Sequence, residues 1–169
     1  MSYLSTPDRR SQPLSHLLGL QAMSRPNAAP IAVAAPPRPQ VSAELLAGTP
    51  LLCALEPALI ERIALRAVVR NIARHALVFE QGSRECGLYV LLNGQAQVVR
   101  HNQRGRALVV DQLQAGDHFG ELSAIDDQPQ YASVRCTVPS AVLVISRTDF
   151  IDCLHESQTL LPALLRPRT

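Results

Sequence analysis

Six short runs, "ALVFE", "GLYVLL", "AQVVR", "ALVVDQL", "SVRCTV" and "AVLVIS", are spread over residues 76–146, with glycines at Gly82, Gly87, Gly94, Gly105 and Gly116 between or beside them. Runs this short and this rich in β-branched and aromatic residues cannot be helices of ordinary length. Turn residues between them favour antiparallel pairing over parallel βαβ units. The pattern predicts a mainly β fold, a roll of about eight strands over residues 74–146. In "HNQRGR" the tip of a hairpin is expected, with Asn102 and Gly105 at positions open to positive φ.

Helical periodicity flanks the strands on both sides. "EPALIERIALRAVV" sets Leu59, Ile60, Ile63, Ala64 and Ala67 on one face and Arg62, Arg66 and Arg70 on another, four residues apart. The arginine stripe is expected to be a solvated helix face that pairs with Glu61 at most, with a docking ridge as the alternative. After the last strand, "RTDFIDCLHESQTLLPALL" returns to helix with Thr148 as its expected N-cap, and Pro162 limits the helix beyond it.

Residues 1–40 have a different character. Seven prolines (Pro7, Pro13, Pro26, Pro30, Pro36, Pro37 and Pro39) among many alanines predict a disordered Pro/Ala-rich tail, followed by one domain over 41–169. Within the tail, Leu14, Leu17, Leu18 and Met23 share one face of a short transient helix, a pattern also suited to docking in a groove. At 169 residues, 47% hydrophobic, 18% charged and net charge +2, the chain is globular and carries no broad charge for nucleic acid or anionic lipid. All sixteen basic residues are arginine, which reads as the codon bias of a GC-rich genome. No export signal is visible, and no stretch reaches the roughly 20 apolar residues of a membrane span, so a cytoplasmic location is expected.

Metal and catalytic chemistry find no foothold. The cysteines Cys53, Cys86, Cys136 and Cys153 form no C-x-x-C pair and are expected to be reduced and mostly buried, not ligands of an iron–sulfur cluster. His75, His101, His118 and His155 lie too far apart in sequence for the clustered histidines of a metal-binding cupin, and His118 is expected on a solvent-facing loop. No nucleophile elbow is present, and Asp126 and Asp127 fall on a predicted turn, so no catalytic residue and no metal ligand is assigned.

The stretch "TPLLCALEPALIERIALRAVVRNIARHALVFEQGSRECGLYVLLNGQAQVV", followed by "LQAGDHFGELSAIDDQPQYASVRCTVPSAVLVISRTDF", resembles the cyclic-nucleotide-binding domain. That domain is shared by the bacterial catabolite activator and fumarate-nitrate regulator superfamily, cyclic-nucleotide-dependent protein kinases and gated ion channels. Gly82, the "LYVLLNG" strand ending at Gly94, and "GDHFGEL" carry the resemblance, which covers a core of about residues 49–155. It implies an antiparallel β-roll of the jelly-roll type and a ligand, a cyclic nucleotide or a related cyclic dinucleotide, held by Phe119, Gly120, Glu121, Leu122, Ser123, Gln130, Tyr131 and Ala132. Gly120 lets backbone amides approach a phosphate, and Glu121 resembles the family acid that accepts from the ribose 2′-hydroxyl.

Two positions depart from the family. Where it places an arginine on the phosphate, this chain has Gln130, which lacks the charge and the two-pronged fork, and bulky Tyr131 follows where small residues are usual. Arg84, Arg106 and Arg135 are candidates to supply the charge from elsewhere. Only fourteen residues follow His155, so the dimer helix and helix-turn-helix of the family's transcription regulators are not expected in this chain, nor is DNA binding. Two readings stay open: a ligand sensor whose closing helices are read by a partner protein, and a ligand-free interaction module on the same scaffold.

Overall fold

The structure is a computed structural model that describes residues 41–167. The expected tail over 1–40, with its Leu14, Leu17, Leu18 and Met23 face, lies outside the described residues. The chain opens with α1 (Ala43–Ala47), a 3-10 turn (Leu52–Ala54) and α2 (Pro57–Arg66). Ser42 starts α1 by accepting a hydrogen bond from Leu45 N at 3.1 Å, and Pro57 starts α2 where its missing N–H costs nothing. Eight strands follow: β1 (Val68–Ile72), β2 (Leu77–Phe79), β3 (Gly87–Asn93), β4 (Gln95–His101), β5 (Ala107–Gln114), β6 (His118–Phe119), β7 (Ser133–Cys136) and β8 (Ser140–Ser146). Helix α3 (Glu121–Asp126) sits between β6 and β7, and α4 (Arg147–Glu156) and α5 (Leu160–Leu164) close the described chain.

The strands form two antiparallel four-stranded sheets, ordered β1-β8-β3-β6 and β2-β7-β4-β5, as the turn-punctuated pattern predicts. Alternation along β3 and β8 divides the core in two. Leu88, Val90, Leu143 and Ile145 pack with Leu46, Leu52, Leu59, Ile63, Phe150 and Leu160 from the helices. Tyr89, Leu91 and Val142 point the other way, to Val78, Phe79, Ala96, Leu113 and Val134 of the second sheet. A strand covered on both faces must be apolar at every position, which is why "LYVLL" shows no alternation of polarity. Packing reaches beyond the stretch that carries the resemblance, since Val41, Leu46 and Leu160 are buried in the helix-side core.

Several local expectations are corrected. The arginine stripe stays partly exposed, but its pairing is not local to Glu61. Arg62 makes a two-pronged contact with Glu156, Nη1 to Oε2 and Nη2 to Oε1 at 3.0 Å each, and Arg66 Nη1 donates to Asp149 Oδ1 at 2.7 Å, so both tie α2 to α4. Arg70 belongs to β1 and faces Glu85 at 3.8 Å, because the backbone turns extended at Ala67 and the following valines pair with β8. The cap of α4 is Ser146, whose Oγ accepts from Asp149 N at 3.2 Å; Thr148 lies inside the first turn, one residue before the amide a capping hydroxyl must reach. At the β4–β5 hairpin Gly105 has φ 74, while Asn102 keeps negative φ and its Oδ1 accepts from Arg104 N and Arg106 N.

His118 is half-buried on β6 opposite Val90, not on a solvent-facing loop. Cys136 and Cys153 are buried, Cys86 is half-buried and Cys53 is exposed, and all four are free thiols. Burial pushes the Cys136 and Cys153 thiols up, which keeps them protonated and unreactive. No described helix is long and apolar enough to cross a membrane.

The link between α2 and α4 responds to acid. Partial burial by itself raises the Asp149 pKa, but hydrogen bonds from Ser146 and Arg66 outweigh it and hold the carboxyl below its ordinary value. A carboxyl depressed in the folded state stabilises the fold above its unfolded pKa, and the gain is lost as pH falls through the folded value. Arg66→Ala therefore lowers stability at pH 7 by about 0.2–1 kcal/mol, and the difference from the parent protein closes as pH drops below the carboxylate range. Thermal unfolding across pH 7 to 3 measures it; a difference that persists undiminished in acid contradicts the role given to this pair.

Candidate functional site

The segment from β6 to β7 wraps one cavity. Phe119 ends β6, and Gly120, at φ 82, reverses the chain into α3. A left-handed N-cap is open to glycine, and here the space demands it as well: a Cβ on Gly120 would meet Tyr89 Cδ2 at 2.7 Å and the Gly87 carbonyl oxygen at 3.0 Å. Beneath this turn Phe79, Tyr89 and Phe119 pack as a trio, with ring centroids 4.9 Å, 5.8 Å and 5.4 Å apart. Ser123 and Ala124 seal the inner face of α3, Leu122 stays 59% exposed, and Asp127 stops the helix at φ 54.

The returning chain is fastened at Gln130. Its amide Nε2 donates to the Glu85 carbonyl oxygen at 2.8 Å, its backbone N–H donates to the Ser83 carbonyl at 2.9 Å, and its own carbonyl accepts from Gly82 N at 2.8 Å. With only 4% of its surface exposed, Gln130 clamps the 82–85 loop. Tyr131 turns outward, and its hydroxyl donates to Asp126 Oδ2 at 2.8 Å; that bond to the carboxylate raises the phenol pKa. The ring is thereby fixed at the rim and does not close the site.

A cavity of about 340 Å³ remains. The structure brings Phe119, Gly120, Glu121, Leu122, Ser123, Gln130, Tyr131 and Ala132 together in its wall, with Phe79, Val98, Val110, Asp111 and Val134. Those last five were not among the residues expected from the sequence. Val98 and Val134 follow from strand alternation, but Val110 and Asp111 are consecutive and should face opposite sides. A bulge brings both to the cavity: Val98 pairs with Asp111 and Val99 with Val109, leaving Val110 with no opposite residue.

The electrostatics of the wall are one-sided. Its charged side chains are the carboxylates of Glu121 and Asp111, and no arginine or histidine is among its residues. Glu121 Oε2 is buried and has no hydrogen-bond partner. None of the three arginines considered as substitutes reaches this wall. Arg84 is exposed on the loop before β3; Arg106 lines a separate cavity of about 680 Å³ at the β4–β5 hairpin; and Arg135 is exposed on β7 next to inward-facing Val134. Among the described residues no cluster of three or more His, Cys, Asp or Glu is placed to hold a metal ion.

The turn itself is testable. Gly120→Ala adds a side chain at positive φ and drives it into Tyr89, so a loss of about 1–3 kcal/mol is expected, read from the denaturant midpoint at unchanged slope. A neutral substitution would show that the turn relaxes freely.

Comparison with known proteins agrees with the geometry. The Cyclic nucleotide-binding domain family matches residues 69–157, more than half of the chain. A cAMP-dependent protein kinase regulatory subunit from Mycosarcoma maydis is 32% identical over 91 residues, which is 54% of this chain and 17% of that protein. This chain therefore spans under a fifth of that relative's length. Among solved structures, the sensor domain of the transcriptional regulator DNR from Pseudomonas aeruginosa superposes with TM-score 0.65 at 24% identity, covering 72% of this chain and 82% of that one. The regulatory domain of Toxoplasma gondii PKA with cAMP gives TM-score 0.64 at 23% identity, covering 71% of this chain and 46% of that one. With a jelly-roll of two antiparallel sheets, a glycine-led helix over a cavity and this match, the chain belongs to the cyclic nucleotide-binding domain family.

Proposed function

We propose that the chain is a non-catalytic ligand-sensing regulatory domain, in which a ribose-bearing ligand of the nucleotide class occupies the cavity over α3 and a partner protein reads the response of the closing helices. The observation that carries this reading is Glu121: a carboxylate in the cavity wall with one buried oxygen lacking any hydrogen bond. A buried acceptor without a partner is costly, and a ligand hydroxyl is the donor that would satisfy it. The relative from Mycosarcoma maydis is a regulatory subunit named for cAMP, which supports a regulatory role and a ligand of this class. The atypical feature is the phosphate side, where neutral Gln130 stands in for the family arginine.

A route from the cavity to the closing helices also exists. Arg147, the first residue of α4, donates from Nε to the Ala124 carbonyl of α3 at 2.8 Å and lies 3.4 Å from Asp127. A shift of α3 on ligand binding therefore pulls directly on α4, whose Phe150 is buried in the helix-side core. The second reading, a ligand-free interaction module, is favoured by Leu108, Val109 and Val110, exposed at 65%, 46% and 50% on β5 at the edge of its sheet.

Calorimetric titration with nucleosides, cyclic mononucleotides and cyclic dinucleotides tests the sensor reading. At least one is expected to bind at one site per chain, and Glu121→Ala is expected to weaken it tenfold or more, the value of a hydrogen bond to a charged group. If none binds, the interaction module becomes the better account; binding that ignores Glu121→Ala overturns the role given to Glu121. The route is checked by hydrogen exchange: ligand should change protection over residues 147–156 in the parent protein, and Arg147→Ala should abolish that change while the cavity segment still responds.

A further inference from the structure

The chemistry of the cavity wall goes further than the sensor reading on which this inference rests, because it separates two ligands that share a ribose. We infer that the cavity selects an uncharged ribonucleoside over the corresponding cyclic phosphate. Both charged side chains in the wall, Glu121 and Asp111, are acids, and the wall contains no cation. A cyclic phosphate would bring a further negative charge beside the Glu121 carboxylate, with no cation among the lining residues. A hydroxyl carries no such penalty. It donates to the buried Glu121 Oε2, which has no partner of its own.

The position that would normally neutralise a phosphate is committed to the protein. Gln130 Nε2 donates to the Glu85 carbonyl at 2.8 Å, and the residue is 4% exposed, so its side chain is spent on holding the 82–85 loop. The remainder of the wall suits a flat ring. Phe79, Val98, Phe119 and Val134 are apolar, and Tyr131 stands at the rim with its hydroxyl tethered to Asp126. At about 340 Å³ the cavity is near the small end of the roughly 300–1,000 Å³ of ligand sites, which matches one ring and one sugar but not the pair of each in a cyclic dinucleotide.

The test compares matched ligands on the unmodified protein: adenosine and guanosine, their 2′-deoxy and 3′-deoxy forms, and cAMP and cGMP, titrated at two ionic strengths. At least one ribonucleoside is expected to bind ten times tighter or more than its cyclic phosphate, with little dependence on salt, and to lose at least tenfold when one of its two ring hydroxyls is removed. Gln130→Arg is then expected to shift the preference toward the cyclic phosphate, with circular dichroism showing that the variant is folded. A cyclic phosphate that binds the unmodified protein as tightly as its nucleoside overturns this inference and leaves the sensor reading standing. Nucleoside binding indifferent to both hydroxyl deletions overturns it too, since Glu121 would then have no part in recognition. If neither class binds, the sensor reading fails and this inference with it.

Discussion

Strand β3 is the member on which the rest of the structure depends. Leu88 and Val90 on one side fix the helices, while Tyr89 and Leu91 on the other fill the space between the sheets. Tyr89 has a further part, because its ring is the floor under Gly120 and leaves no room for a Cβ there. Its hydroxyl donates to the Glu85 carbonyl at 3.2 Å, the same oxygen that accepts from Gln130 Nε2. Burial pushes the Tyr89 phenol up to about 12, so it remains a donor across the physiological range. One strand therefore sets the helix packing, the sheet packing, the glycine turn and one anchor of the loop beside the cavity.

The part of this arrangement that the sequence discloses is the part that depends on neighbours along the chain. The strand runs are legible because sheet burial imposes β-branched and aromatic residues over four to eight positions, and the glycine turns mark their ends. The eight residues expected at the site meet because they lie in the first turn of one short helix or just to either side of that helix, within fourteen positions of each other, so local geometry alone brings them near the same cavity. Features set by distant partners were not legible. Arg62 and Arg66 look like a solvated stripe until α4 arrives 94 and 83 residues later with Glu156 and Asp149. Val110 and Asp111 violate strand alternation because of a bulge that exists only in the pairing of β4 with β5.

Gln130 is the sharpest instance, since its residue type is plain in the sequence but the direction of its amide is not. Read alone, a glutamine in place of an arginine is a missing charge. In the fold it is also an added fastening, 45 residues from its acceptor in sequence. The two descriptions have different consequences. A missing charge lowers affinity for an anion, whereas a fastening fixes the 82–85 loop with no ligand required.

That difference bears on how such a domain would signal. An arginine buried to the same degree as Gln130 would carry a charge needing a counterion, and the acid nearest in sequence to its anchor, Glu85, is exposed and already faces Arg70 at 3.8 Å. A phosphate would then serve as that counterion, and ligand binding and loop ordering would be coupled on the side of β7. Neutral Gln130 removes the need: its buried amide is satisfied by a backbone carbonyl, and the loop is held by the protein itself. Among the described residues, the buried side-chain polar atom left without a partner is Glu121 Oε2, on α3. In the proposed sensor, a ligand-dependent change in hydrogen bonding would centre on the helix whose Ala124 carbonyl is held by Arg147 at the start of α4, and the response would lie at the α3–α4 contact and not at the loop.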